Sequence, residues 1–376
     1  MFNLNEYLQD LEQLVNIDSG SRDAVGIGQV AEFFKERFVA LGWQVKVHEF
    51  DPIAGPCLEI SNTAADKYDI LFMGHMDTVF KKGTVAQRPF SVDGNIGRGP
   101  GIVDCKAGLL LAYYALRELS VAGQLNTTAI CLAFNCDEEI SSVYSRPWLE
   151  ELSKKSEYVL VVEPARANGN LVNKRKGIGR YHFEFQGVAA HAGTDHEKGR
   201  SAITELANWI VQLDKKTNYQ TGTTVNVGFI SGGTVANVVA DKTVADMDVR
   251  YYDVEAVEEI EKLMNEMQQS PFVPGVQVNI SGGITRPSMV PTEKTMQLCA
   301  VIDQIGAKHQ IEFGWAATGG GSDGSFAAAL GIPTIDGLGP VGGGTHSDKE
   351  YLDISSVEPR FKLLRDLVAH IAIVNN

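Results

Sequence analysis

The segment 70–80, ILFMGHMDTVF, is an apolar run that ends in His75, with Asp77 two positions further on. An imidazole and a carboxylate at the end of a buried strand form either a structural hydrogen-bonded pair or part of a metal or acid/base site. Company decides between the two. Glu138 and Glu139 follow the apolar run ending near Phe134, and Glu163 follows the one ending at Val162. Asp104 sits in the Gly-rich GRGPGIVDCKAG just before a helical pattern, and His346 lies in the loop GGGTHSD. Two histidines with several carboxylates and no thiolate make a ligand set suited to zinc, manganese or cobalt. One carboxylate can bridge two such ions about 3.5 to 4 Å apart. Successive side chains on an extended backbone point to opposite sides. The adjacent Glu138 and Glu139 are therefore expected to send one carboxylate to metal and the other toward substrate.

These residues need a frame that brings them together. Val30, Phe33, Phe34, Phe38 and Leu41 are spaced as one face of a helix over 30–41, and Gly42 follows as a C-cap. WQVKVHEF (43–50) alternates as a half-buried strand, whereas 68–73, 127–134 and 158–162 are continuously apolar, as strands covered on both faces are. Helical patterns at 107–119 and 146–155 separate them. Alternating strands and helices predict a doubly wound, largely parallel α/β sheet, in which strand carboxyl ends line one crevice.

From about 177 the pattern changes to strand (179–187), helix (201–215), strand (223–230), strand (241–250), helix (254–269) and strand (276–284). That order is the ferredoxin-like split βαβ unit. A helix at 292–308, the Gly-rich stretch 319–344 and a helix at 355–373 then return to the α/β style. The expected organisation is a discontinuous catalytic domain, 1–176 and 288–376, carrying an inserted α+β domain at 177–287.

At 376 residues the chain exceeds the roughly 250–300 residues at which one core stops growing, so two domains are the default. Its net charge of −14 argues against a nucleic acid or an anionic membrane as partner. The N-terminal twenty residues have no basic start followed by an apolar run, and no window approaches a membrane span. Five cysteines without a CxxC pair point away from disulfides and thiolate zinc sites, and the cytoplasm is the expected compartment.

The motifs GHMDTV, GRGPGIVDCKAG, NCDEE, VVEP, HAG and GTHSD, in that order, resemble the two-zinc metallopeptidase family of bacterial glutamate carboxypeptidase, acetylornithine deacetylase, succinyl-diaminopimelate desuccinylase and aminoacylase. The resemblance spans nearly the whole chain. It implies one metal held by His75 and Glu163, a second by Glu139 and His346, and Asp104 bridging both, with zinc the first expectation and cobalt or manganese alternatives. It implies Asp77 orienting His75, and Glu138 as the general base that lets a metal-activated water attack an amide. In the inserted domain it implies lid residues His191, Asn237 and Arg250 that contact substrate, and a homodimer formed through that domain. Arg286 and Gly321 match positions that receive a substrate carboxylate in the glutamate carboxypeptidase branch. Glutamate at 163, where aminopeptidase relatives carry aspartate, points the same way. Cys105 and Ala107 depart from the commoner DMKGG, and Cys105 is expected to be a packed, inert thiol.

The implied function is therefore metal-dependent release of a C-terminal amino acid, glutamate first, from a small peptide. An N-acyl amino acid deacylase of the same fold is the alternative. A non-catalytic metal-binding protein would have no use for Glu138. Read alone, the basic run 173–177 is a solvated hinge, and the glycines of 319–344 lack the GKS, GKT or strand-borne GxGxxG that phosphate binding needs.

Overall fold

The computed structural model describes residues 2–374, and the chain divides into two compact units. One comprises Met1–Lys174, Val290–Thr318 and Ser322–Asn376; the other comprises Arg175–Met289 with Gly319–Gly321. The second unit thus begins and ends two residues outside the expected 177–287, and it also takes three glycines from the distant Gly-rich stretch.

The first unit is built on a six-stranded sheet in the spatial order Gln44–His48, Cys57–Ser61, Ile130–Asn135, Tyr68–His75, Ser156–Val161 and Thr334–Ile335. The last four strands run parallel to one another, and the first two pair antiparallel at one edge. Every residue of Ile130–Asn135 is buried and nearly every one of Tyr68–His75, so these strands are apolar along their whole length instead of alternating. The α/β class with a largely parallel sheet and flanking helices is as expected. The strand Cys57–Ser61, paired on both sides, is an addition, hidden in the sequence by Glu59. That carboxylate is buried, and Lys46 (2.8 Å), His48 (3.0 Å) and Trp148 (3.3 Å) satisfy it. The helix expected at 30–41 starts earlier, at Ala24, because Asp23 caps it by accepting the Gly26 N–H.

The second unit is a four-stranded antiparallel sheet in the order Thr224–Gly232, Lys242–Tyr251, Gly177–Gln186 and Gln277–Arg286, with helices Ala202–Asp214 and Val254–Gln269. This is the predicted ferredoxin-like order. Tyr181, Phe183 and Phe185 alternate with Arg180, Glu184 and Gln186, and the inward set packs with Trp209, Met247, Ile260 and Met264 in a core separate from that of the first unit. Truncating a wholly buried ring such as Phe183 to alanine costs about 3–5 kcal/mol. Among the described residues no helix is long and apolar enough to cross a membrane.

Candidate metal centre and catalytic site

Three adjacent parallel strands of the first unit end at one level. The central strand ends in His75 itself, in register with Asn135, while Ile130–Asn135 leads into a tight turn at Glu138–Ile140 and Ser156–Val161 leads to Glu163. Asp104 comes in from Ile102–Lys106, immediately before the helix Ala107–Val121, and its peptide bond to Cys105 is cis. His346 arrives on a loop and holds φ +63°, a conformation uncommon for histidine.

The side chains interlock. Asp104 offers Oδ1 to His75 Nε2 at 3.1 Å and Oδ2 to His346 Nε2 at 3.3 Å. Glu163 Oε1 lies 3.3 Å from His75 Nε2, and Glu139 Oε2 lies 3.1 Å from His346 Nε2. Each histidine therefore has its own glutamate, and one aspartate faces both. The five expected ligands converge in one crevice.

Burial would raise the Asp104 carboxyl, but hydrogen bonds from His346 and His75 hold it well below the usual carboxylate range. Burial, then the charge of Asp104, pushes Glu163 up to about 7, and burial also raises Glu139. Hydrogen bonds to Asp104 and Glu139 lift His346 to about 10; burial opposes protonation of His75, yet Glu163 and Asp104 raise it well above its ordinary value. Two imidazoles and three carboxylates facing one another in this way make a donor set that fits two divalent cations. Cys105 also lies near His75 and Glu163, but its thiol donates to the Val162 carbonyl at 3.3 Å and burial keeps it protonated.

Glu138 and Glu139 do not lie on an extended backbone, which corrects the sequence expectation. They occupy a single 3₁₀ turn, with Ser141 and Ser142 at positive φ behind it. Asp77 anchors the turn: its carboxylate accepts the N–H groups of Glu138 (3.1 Å) and Glu139 (3.2 Å) and the hydroxyl of Ser21 (2.7 Å). His75 Nδ1 lies closer to the Asp77 carbonyl oxygen (2.9 Å) than to its carboxylate (3.4 Å). Asp77 therefore positions the imidazole through both its backbone and its side chain.

Two supports escaped the sequence reading. Buried Glu350 accepts the N–H groups of Gly101 (2.9 Å), Val103 (3.0 Å) and Asp104 (3.2 Å). Buried Asp137 fixes the other side of the Glu138 turn by accepting from Tyr144 N–H (2.7 Å) and the Ser145 hydroxyl. The available signal was a carboxylate four residues after His346 in one case and an aspartate beginning DEE in the other. Neither is distinctive without the fold.

In the second unit a two-residue ladder pairs His191 with Val238 and puts His191 beside Asn237, whose carbonyl accepts from Ala192 N–H at 2.9 Å. His191 Nδ1 accepts from the N–H groups of Gly193 and Thr194, both at 3.1 Å, which leaves Nε2 to carry the proton of the neutral ring. Arg250 and Arg286 flank Ile178 from the two neighbouring strands, and a bulge between Ile284 and Arg286 re-aims the latter. Arg250 grips Asp248 at 2.7 and 2.9 Å and donates to the Gly319 carbonyl at 3.2 Å. Buried Arg286 packs on Gly321, where a Cβ would come 2.6 Å from Arg286 Cδ. Arg175 corrects the solvated-hinge reading of 173–177: it is buried and donates to the Gly320 carbonyl at 3.2 Å.

Comparison with known proteins gives the family and the fold. The model of peptidase family M20/M25/M40 matches residues 71–370. Carboxypeptidase G2 of Pseudomonas sp. (strain RS-16) is 32% identical over 372 residues, covering 96% of this chain and 88% of that protein. Among solved structures, a tripeptidase of Staphylococcus aureus subsp. aureus mu50 superposes with a TM-score of 0.81 at 21% identity, covering 99% of this chain and 100% of that one. A Bacillus subtilis protein described as a dinuclear metal binding peptidase superposes with a TM-score of 0.72 at 13% identity, covering 99% and 98%. These two structural likenesses concern the fold.

Proposed function

The chain belongs to peptidase family M20/M25/M40, and from that premise we propose that it hydrolyses the amide bond of a small peptide or N-acyl amino acid and releases a C-terminal amino acid, glutamate first. Family membership makes it a metal-dependent peptidase or amidohydrolase. The observation that carries the finer reading is Asp104 facing His75 with one oxygen and His346 with the other, next to the turn that bears Glu138.

His75 and Glu163 would hold one cation, His346 and Glu139 the other, and Asp104 both, with zinc preferred by this mixed imidazole and carboxylate set. When bound, the pair would polarise the scissile carbonyl and acidify a water molecule. Glu138 takes the proton of the attacking water and passes it to the departing amine. Asp77 keeps Glu138 in place through its backbone N–H. His191, with Nδ1 engaged and Nε2 a donor, supplies a hydrogen bond to the developing oxyanion. Arg286 and the Gly321 backbone receive the carboxylate of the amino-acid half, with Arg250 alongside. The inserted domain is the lid that delivers these groups. It also pairs with a second copy through its edge strand Thr224–Gly232, where Phe229 and Ile230 are about half exposed. We place the protein in the cytoplasm.

The test is a hydrolysis panel with metal-reconstituted enzyme, comparing N-acyl glutamates with the same compounds amidated at the α-carboxyl. Rapid cleavage of the free acids and poor cleavage of the amides is expected. Equal cleavage of both overturns the carboxylate-anchored reading.

A further inference from the structure

A cavity of about 610 Å³ opens in the first unit beside Glu139. Its walls are two loops fastened together by backbone. Ser21 N–H donates to the Thr78 carbonyl and Thr78 N–H to the Ser19 carbonyl, both at 2.9 Å. Gly20 lies so close to the second loop that a Cβ would come 2.2 Å from the Phe80 carbonyl oxygen. Asp18 ties down the far end by accepting from Gly83 (2.7 Å) and Val85 (3.0 Å) N–H groups. The frame is therefore built and does not depend on a ligand to form.

Three cations line it: Arg22, Lys81 and Lys82. In a chain of net charge −14 these three stand beside a cluster of carboxylates, and Asp23 and Glu139 share the lining with them. Lys82 is 3.6 Å from Asp23, but among the described residues no carboxylate pairs with Arg22 or Lys81. Arg22 also holds φ +71°, where an arginine costs about 1 kcal/mol or more and glycine or asparagine would sit more easily. A long cationic side chain is thus kept at a position whose backbone favours a small residue.

We propose that this cavity receives the acyl half of the substrate, and that this half carries its own carboxylate, as a succinyl or acidic aminoacyl group does. The inference rests on the amide-hydrolase reading above. Glu139 belongs both to the metal cluster and to the cavity wall, so the cavity adjoins the centre at which the amide would react. The carboxylate of the amino-acid half is already assigned to Arg286 and Gly321, so these cations serve the other half. Exposed ion pairs are individually weak, and two or three together favour the charged acyl group by about tenfold.

The test compares N-succinyl-L-glutamate with its neutral near-isostere N-succinamoyl-L-glutamate, using wild type and the Arg22→Asn/Lys81→Gln variant. Asparagine tolerates the left-handed backbone and removes the charge. Wild type should prefer the succinyl compound about tenfold in kcat/KM, and the variant should bring that ratio close to one with its metal content intact. A ratio near one in wild type, or the same ratio in both proteins, overturns the proposal. Cleavage of neither compound would instead overturn the glutamate reading. The cavity is then read by calorimetry as the ratio of succinate to succinamate affinity, expected to fall severalfold in the variant, and equal ratios in the two proteins overturn it.

Discussion

Glu350 accepts the backbone N–H of Asp104 at 3.2 Å, so the loop that carries His346 also holds the loop that carries Asp104. The same carboxylate takes the N–H groups of Gly101 and Val103, and the side chain is fully buried. Glu350→Ala strands three buried donors at about 1–3 kcal/mol each, so a loss of roughly 3 kcal/mol or more is expected, together with weaker metal retention. Glu350→Gln keeps one acceptor oxygen and should fall between. Thermal melts and metal analysis on the same preparations check this. Full metal content in Glu350→Ala would show that the two loops hold the site independently.

Glu138 and Glu139 are adjacent in one turn but should fail differently. Glu138→Gln should retain metal and lose about 10² to 10⁴-fold in kcat, the usual cost of a missing general base. Glu139→Gln should lose metal from the His346 side first, because its carboxylate is 3.1 Å from that imidazole. Chelation of the wild type should abolish activity, and added zinc should restore it. Equal metal loss in both variants would show that the two roles are wrongly divided.

The sheet and the inserted domain were legible because burial on both faces writes a continuous apolar run, as at Tyr68–His75, while burial on one face writes alternation, as at Gly177–Gln186. Cys57–Ser61 was not legible, since its buried Glu59 finds its partners on two other elements, the strand Gln44–His48 and the helix that carries Trp148. The chemistry-bearing residues could be found by their position after strands. The turn that holds Glu138 could not, because its conformation depends on Asp77 and Asp137, which accept hydrogen bonds from outside their own segments. Arg175 escaped for a related reason: a basic run reads as solvated until Gly320 and Gly321 supply carbonyls to it.

Gly321 lacks a side chain because Arg286 occupies the space a Cβ would need. Gly321→Ala should push Arg286 aside and raise KM for free α-carboxylate substrates about tenfold, with little change for amidated analogues that never used the contact. Arg286→Ala should show the same selectivity, more strongly. Parallel steady-state kinetics on the two substrate types decide the point. An equal loss on both would make the contact structural.

The last prediction concerns stability, at a site remote from the chemistry. Asp366 accepts from His309 Nε2 (2.8 Å) and Lys308 Nζ (3.1 Å) and pairs with Arg365 at 2.6 Å. Burial alone would raise its carboxyl, but hydrogen bonds from His309, Arg365 and Lys308 hold it at about 2. An unfolded aspartate titrates near 3.9, so the folded value is depressed and the linked stability is present above about pH 4. It fades as the pH falls through about 2. The group is partly solvated, so the contribution after screening is about 1 kcal/mol, or roughly 2 °C in Tm for a chain of this size. Asp366→Asn should therefore melt lower than wild type from about pH 5 to 7, and the gap should narrow on acidification. A gap that stays constant from pH 7 down to 3 would mean that packing, and not the carboxylate charge, holds this corner together.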